Sequence, residues 1–185
     1  LPNMQVYVPS DEVDAVACFK EAVSFDGPAF IRMARGKEAV FHDKRECINP
    51  AILQRYTEVG NDVNIITCGT LLGEGKKLQE MFSEKGISAG AFSALRIKPL
   101  CSEEIKELAL HSKLLITMEE HNIVGGFGSA VAEALSEVEE KHATLYRAGL
   151  QDTYTCKIGN QDYLRDYYGL NAEKVFAYVM ENYKL

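Results

Sequence analysis

The stretch Ile116-Thr-Met-Glu-Glu-His121-Asn-Ile-Val-Gly125-Gly-Phe-Gly128-Ser-Ala-Val-Ala-Glu133 runs from an apolar strand, through a glycine turn, into an amphipathic helix. Glycine supplies the tight corner, and Ala130, Val131, Ala134, Leu135 and Val138 recur at the spacing of one buried helix face. The reading is a βα unit, and it organises the rest of the chain.

The same alternation extends on both sides of it. Upstream, Asp62–Thr67 reads as a strand followed by Gly69. A helix over about Leu71–Glu84 turns Leu71, Leu78, Met81 and Phe82 inward, and Gly86 is placed to cap its C-terminus. Ile87–Ala94 gives a second strand and Pro99 a bend. Ser102 caps a helix with Ile105, Leu108 and Ala109 on one face, and Lys113–Met118 is the third strand. Downstream, Ala143–Tyr146 is a fourth strand, placed at an edge. Two helical pieces follow, about Asp162–Tyr168 and Ala172–Tyr183, separated by Gly169. Strands alternating with helices at this spacing imply parallel pairing by right-handed crossovers, hence an α/β fold with a mostly parallel sheet between two helix layers.

Before this regular part, Met4–Val8 is β-rich, Pro9 ends it, and Ser10 followed by Asp11 and Glu12 marks a helix start. Val16, Phe19 and Val23, with Ala15 and Ala22 beside them, form one stripe on a helix reaching about Ser24. Gly27-Pro28 breaks the chain before the short strand Ala29–Met33. This β-α-β is too small to be an independent domain and should leave apolar surface uncovered. With a strand at its very start and no initiator, the chain reads as the rear part of something longer. The expected organisation is a partial β-α-β over residues 1–36, a connector over 37–60 with Asn49-Pro50 as a turn signal, and a complete α/β domain over 61–185.

Twenty basic residues against twenty-seven acidic give a net charge of -7, which argues against a nucleic-acid or anionic-membrane footprint. No run approaches the roughly 18 apolar residues of a membrane span, and the expected location is the cytoplasm. Cys18, Cys47, Cys68, Cys101 and Cys156 are scattered, with no C-x-x-C pair and no zinc-ligand spacing, so neither a metal site nor a disulfide framework is expected.

Gly125-Gly126-x-Gly128, between strand and helix, could hold a phosphate on exposed N–H groups. As a dinucleotide fingerprint it is poor, because Val131 stands where the third glycine should be, and close helix–strand packing is the preferred reading. Glu119, Glu120 and His121 lie where α/β folds place ligand chemistry, and a carboxylate beside an imidazole could move protons. Adjacent residues on an extended chain point apart, however, and no nucleophile accompanies them, so a domain or subunit contact is preferred. Arg32 and Arg35 are separated by an odd offset that sends strand side chains to opposite faces. Arg35, at the strand's C-terminal end, is the better anion ligand, against an ordinary surface ion pair. His42, His111, His121 and His142 share no spacing with a serine or cysteine motif, and no complete active site is visible.

Five segments in order, Pro2-Asn-Met-x-Val-x-x-Pro9-x-Asp11, Gly27-Pro-Ala-Phe-Ile-Arg-Met-Ala-Arg35, Asp62-Val-Asn-Ile-Ile-Thr-Cys-Gly69-Thr, Arg96-Ile-Lys-Pro-Leu100 and Glu119 to Glu133, resemble the C-terminal part of transketolases, especially those split into separate N- and C-terminal subunits. Tyr167-Tyr-Gly-Leu170 in the tail resembles transketolase more than deoxyxylulose-phosphate synthase or the β subunits of 2-oxo acid dehydrogenases. The resemblance implies a thiamine-diphosphate enzyme, with a divalent metal, usually magnesium, on the diphosphate, that moves a two-carbon ketol unit between sugar phosphates. It implies that residues 1–36 are the end of the pyrimidine-binding domain and 61–185 the C-terminal domain, with an N-terminal section as partner and a homodimer as the complete enzyme. The family's metal motif, its cofactor-activating acid and its donor-guiding histidines have no counterpart here, so no catalytic, cofactor or metal residue is expected in this chain. The family's substrate-phosphate arginine falls on Arg35, with Arg32 the weaker candidate, and the section should be structural and inactive alone; the alternatives are a C-terminal section of deoxyxylulose-phosphate synthase or a free-standing module that binds a small ligand or a protein.

Overall fold

The structure, a computed structural model, describes residues 1–34, 39–43 and 47–185. In chain order it contains β1 (Gln5–Tyr7), α1 (Glu12–Ser24), β2 (Ala29–Ile31), β3 (Gln54–Arg55), β4 (Val63–Thr67) and α2 (Leu72–Glu84). There follow β5 (Ala89–Ser93), β6 (Arg96–Lys98), α3 (Ser102–Leu110), β7 (Leu114–Asn122), α4 (Phe127–Leu135), β8 (Thr144–Leu150), α5 (Gln161–Tyr168) and α6 (Ala172–Asn182). Among the described residues no helix is long and apolar enough to cross a membrane.

The larger sheet has the order β3-β5-β4-β7-β8. Its four long strands are parallel, and β3 adds an antiparallel edge. Side-chain alternation divides the core between two helix layers. Val63, Ile65, Leu114, Ile116 and Met118 pack with Leu78 and Phe82 of α2 and Val175 and Val179 of α6. Ile66 and Leu115 point the other way, to Ile105 and Leu108 of α3 and Val131 and Leu135 of α4. The expected α/β fold with helices on both faces is what the chain forms. Gly86 and Gly169 both sit at positive φ (75° and 73°) at helix ends, as their placement after α2 and α5 required.

Several local expectations are corrected. The N-cap of α1 is Asp11, whose carboxylate accepts from the Val13 and Asp14 N–H groups at 2.9 Å. Ser10 instead shares a 2.8 Å hydrogen bond with Ser93, which removes its hydroxyl from the helix end. Likewise Ser102 is the first residue of α3 rather than its cap, which is Cys101. The 36–60 stretch contributes β3, and Arg96–Lys98, unexpected as a strand, closes a small sheet of order β2-β1-β6. There β1 pairs parallel with β2 and antiparallel with β6, so the N-terminal β-α-β is tied directly to the chain after β5.

The stripe on α1 does not pack inward. Val16, Phe19 and Val23 are 55, 61 and 69 % exposed, and the buried side of the helix carries Asp14 and Cys18. Phe30 of β2 is half exposed as well. The expected uncovered apolar surface is therefore present on the small β-α-β.

Candidate functional site

Among the parallel strands of the large sheet β4 comes first, β5 lies on one side of it, and the chain then returns across β4 to place β7 on the other. This reversal opens a crevice between the carboxyl ends of β4 and β7, where α/β sheets hold ligands. A cleft of about 520 Å³ occupies that position, lined by Gly69, Thr70, Glu120, Gln161, Arg165 and, from the end of β2, Arg32.

Glu120 organises its floor. The carboxylate accepts from Arg165 Nε at 2.7 Å, Gln161 Nε2 at 3.0 Å and Thr70 Oγ1 at 3.2 Å. Arg165 in turn donates through Nη2 to the Thr70 carbonyl and hydroxyl at 3.0 and 2.9 Å, so one guanidinium locks β7, α5 and the turn after β4 together. Arg32 is different. It is exposed at the mouth, donates a 3.3 Å bond to the Glu120 carbonyl and takes part in no ion pair among the described residues. Arg35, the preferred phosphate ligand, lies outside the described residues; Ala34, the position before it, lines the cleft.

Glu119, Glu120 and His121 separate as extended residues must. His121 is exposed, with Nδ1 3.1 Å from the Asn122 carbonyl, and Glu119 is 1 % exposed beneath the glycine turn. Its Oε2 accepts from Phe127 N–H at 2.6 Å and its Oε1 from Gly128 N–H at 2.8 Å. Burial pushes this carboxyl above the ordinary glutamate range, although the two N–H bonds pull it down. The glycines follow from this packing. A Cβ on Gly126 would collide with the Glu119 carboxylate and the Asn122 carbonyl, one on Gly128 would lie 2.7 Å from Thr117 Oγ1, and Gly125 takes a φ of 70° at the corner. The start of α4 is thus filled by the protein's own carboxylate, in keeping with the packing reading of the three glycines.

One constellation escaped the sequence reading. Asp11 and Asp14 of the first turn of α1 meet His42, with His42 Nδ1 3.4 Å from Asp11 Oδ2 and 3.3 Å from Asp14 Oδ1. Two carboxylates three residues apart at a helix start look like ordinary dipole complements, and nothing in the spacing of 28 residues marks His42 as their partner. The other three histidines do not join them.

The transketolase C-terminal domain family model matches residues 54–175. A 6-deoxy-6-sulfo-D-fructose transketolase subunit of Clostridium sp. (strain MSTE9) is 32 % identical over 178 residues, 95 % of this chain and 53 % of that protein. A 1-deoxy-D-xylulose-5-phosphate synthase of Heliobacterium modesticaldum is 32 % identical over 95 % of this chain and 27 % of its own length. Among solved structures, a split-gene transketolase described as an inactive β4 tetramer superposes with a TM-score of 0.87 at 32 % identity, over 98 % of this chain and 57 % of that one. The chain therefore spans between about a quarter and somewhat over half of these relatives. On the family match and the shared fold, the chain belongs to the transketolase C-terminal domain family.

Proposed function

We propose that this chain is the C-terminal section of a transketolase, working with an N-terminal section in the thiamine-diphosphate-dependent transfer of a two-carbon ketol unit between sugar phosphates. Its part in that enzyme is architectural, with Arg35 as its one grip on the substrate phosphate and Arg32 adding positive charge at the cleft mouth. The observation that carries this reading is the filled start of α4. A diphosphate with its magnesium needs free N–H donors and metal-ligating oxygens together, and here the Phe127 and Gly128 N–H groups already serve Glu119. Those two N–H groups are therefore not available to the cofactor's diphosphate, which on this reading is held by the partner section, where it would supply the carbanion chemistry of the transfer.

On this reading residues 1–36 complete a pyrimidine-binding domain whose remainder covers Val16, Phe19 and Val23, residues 37–60 connect, and 61–185 support the dimer. Arg35→Ala in the complete two-section enzyme is expected to raise KM for phosphorylated sugars about tenfold or more, while leaving unphosphorylated acceptors unaffected. An unchanged KM removes Arg35 from the site. The purified chain, given thiamine diphosphate, Mg²⁺ and a ketose phosphate, is expected to be inactive, and turnover would refute the architectural role.

The synthase relatives favour a second reading, a C-terminal section of deoxyxylulose-phosphate synthase. It keeps the cofactor and changes the donor, so assay of the complete enzyme with pyruvate against a ketose phosphate separates the two.

A further inference from the structure

Asp14 and His42 are buried to an unusual degree for charged groups, with side chains 0 and 7 % exposed. Asp14 Oδ1 and His42 Nδ1 make no hydrogen bond although they face each other. An imidazolium between the carboxylates would explain their proximity, but it leaves the Nδ1–H and Asp14 Oδ1 both unbonded and the trio one negative charge in excess. Buried polar atoms left in that condition are rare and costly.

We propose that Asp11, Asp14 and His42 are the protein ligands of a divalent ion of the Zn²⁺ class that staples the segment at 41–42 to the first turn of α1. The separations from Nδ1 to the two oxygens, 3.4 and 3.3 Å, match the edge of about 3.3 Å expected between ligands bound at about 2.0 Å in a tetrahedron. All three ligand atoms lie within 4.8 Å of one another. A divalent ion also balances the two carboxylates, with a neutral imidazole as third ligand. Nδ1 is then the metal-binding nitrogen, and Nε2 carries the proton and donates to Tyr56 Oη at 3.0 Å, the kind of outer partner that fixes a ligating histidine. Asp11 is held for the role through Oδ1 by the Val13 and Asp14 N–H groups, and its Oδ2, which accepts from the Phe41 N–H at 2.8 Å and the His42 N–H at 3.2 Å, would share those bonds with the ion. Asp14 is anchored through Oδ2 by the Ser10 N–H at 3.2 Å, leaving Oδ1 free to coordinate. Three protein ligands leave a position for water or a further ligand.

This inference is independent of the proposed ketol transfer and of the metal on the cofactor. The test is titration of the chelator-stripped chain with Zn²⁺ followed by calorimetry, with the ring nitrogens of His42 followed by NMR on the same samples. One equivalent is expected to bind, with the resonance of Nδ1 shifting and Nε2 remaining protonated. Asp14→Asn and His42→Gln are each expected to weaken binding at least tenfold. Absence of saturable uptake by the native chain overturns the proposal, as does uptake that leaves the His42 resonances unmoved. Should either variant fail to fold, the native-chain spectra decide alone, because surface binding at exposed Cys47 or Cys156 would not perturb Nδ1.

Discussion

Truncating Glu119 to alanine isolates the reason for the glycine turn. Its carboxylate receives two N–H bonds at the first residues of α4, at 2.6 and 2.8 Å, in a place closed to water. Leaving two buried donors without an acceptor costs about 1–3 kcal/mol each, and the void left by the side chain adds to this. Against that stands relief from burying a charge, since burial has already raised this carboxyl from 4.5. The net expectation is a loss of about 2–4 kcal/mol for Glu119→Ala. Glu119→Gln keeps one acceptor but turns an amide N–H₂ toward the second donor, and should lose about 1–2 kcal/mol.

The pH dependence has a definite sign. Because the folded carboxyl holds its proton more tightly than the unfolded one, the contribution of Glu119 to stability is fully present below about 4.5 and declines as pH rises through the raised value. The stability of the native chain minus that of Glu119→Gln should therefore shrink with rising pH across that window. Urea denaturation followed by far-ultraviolet circular dichroism at several pH values measures both quantities. Glu119→Ala within about 0.5 kcal/mol of the native chain, or a difference that grows with pH, would refute the account of the α4 start.

Three further outcomes follow from other contacts. Gly126→Ala should destabilise by about 2 kcal/mol or more through collision with the Glu119 carboxylate and the Asn122 carbonyl. Gly73→Ala within α2, whose Cβ would find only Phe41 Cζ at 3.5 Å, should be neutral or gain up to about 1 kcal/mol; equal effects at both sites contradict the packing argument. Arg165→Met removes the charged partner of the Glu120 carboxylate and leaves it only the Gln161 and Thr70 donors. With side chains 10 and 22 % exposed, the loss should be about 2–3 kcal/mol, with a coupling above about 1 kcal/mol in a double-mutant cycle with Glu120→Gln. Phe19→Lys should change stability by no more than about 0.5 kcal/mol yet weaken self-association of the isolated chain in sedimentation equilibrium; unchanged association means that α1 is not the contacting face.

What could be read from the chain divides along the range of the interactions. Strand–helix alternation from Asp62 onward is written in local periodicity, so the order of elements and the two buried faces were legible, as was the capping glycine at 86. Choices between neighbours were not. Ser10 and Asp11 are both good caps, and what decides between them is Ser93, 83 residues away in sequence. Arg96–Lys98 is too short and too charged to show strand periodicity, and it becomes a strand because β1 offers it an edge. The cleft could be placed in general terms, since Glu120 sits at a strand's C-terminal end, but its partner Arg165 lies 45 residues later on a helix whose burial pattern gives no hint of the pairing.

The α1 stripe is the most instructive case. Periodicity identified one continuous apolar face correctly, and that face points to solvent while the opposite side buries Asp14 and Cys18. A helix pattern specifies which residues share a face, not what will cover it. The two sides of α1 therefore demand different partners. The buried side carries Asp11 and Asp14, and His42 meets both carboxylates from within the chain. The outer side needs apolar surface, and fully covering three such side chains is worth about 1.5–3 kcal/mol each. That is enough to drive assembly, and nothing in the described chain lies over them to supply it.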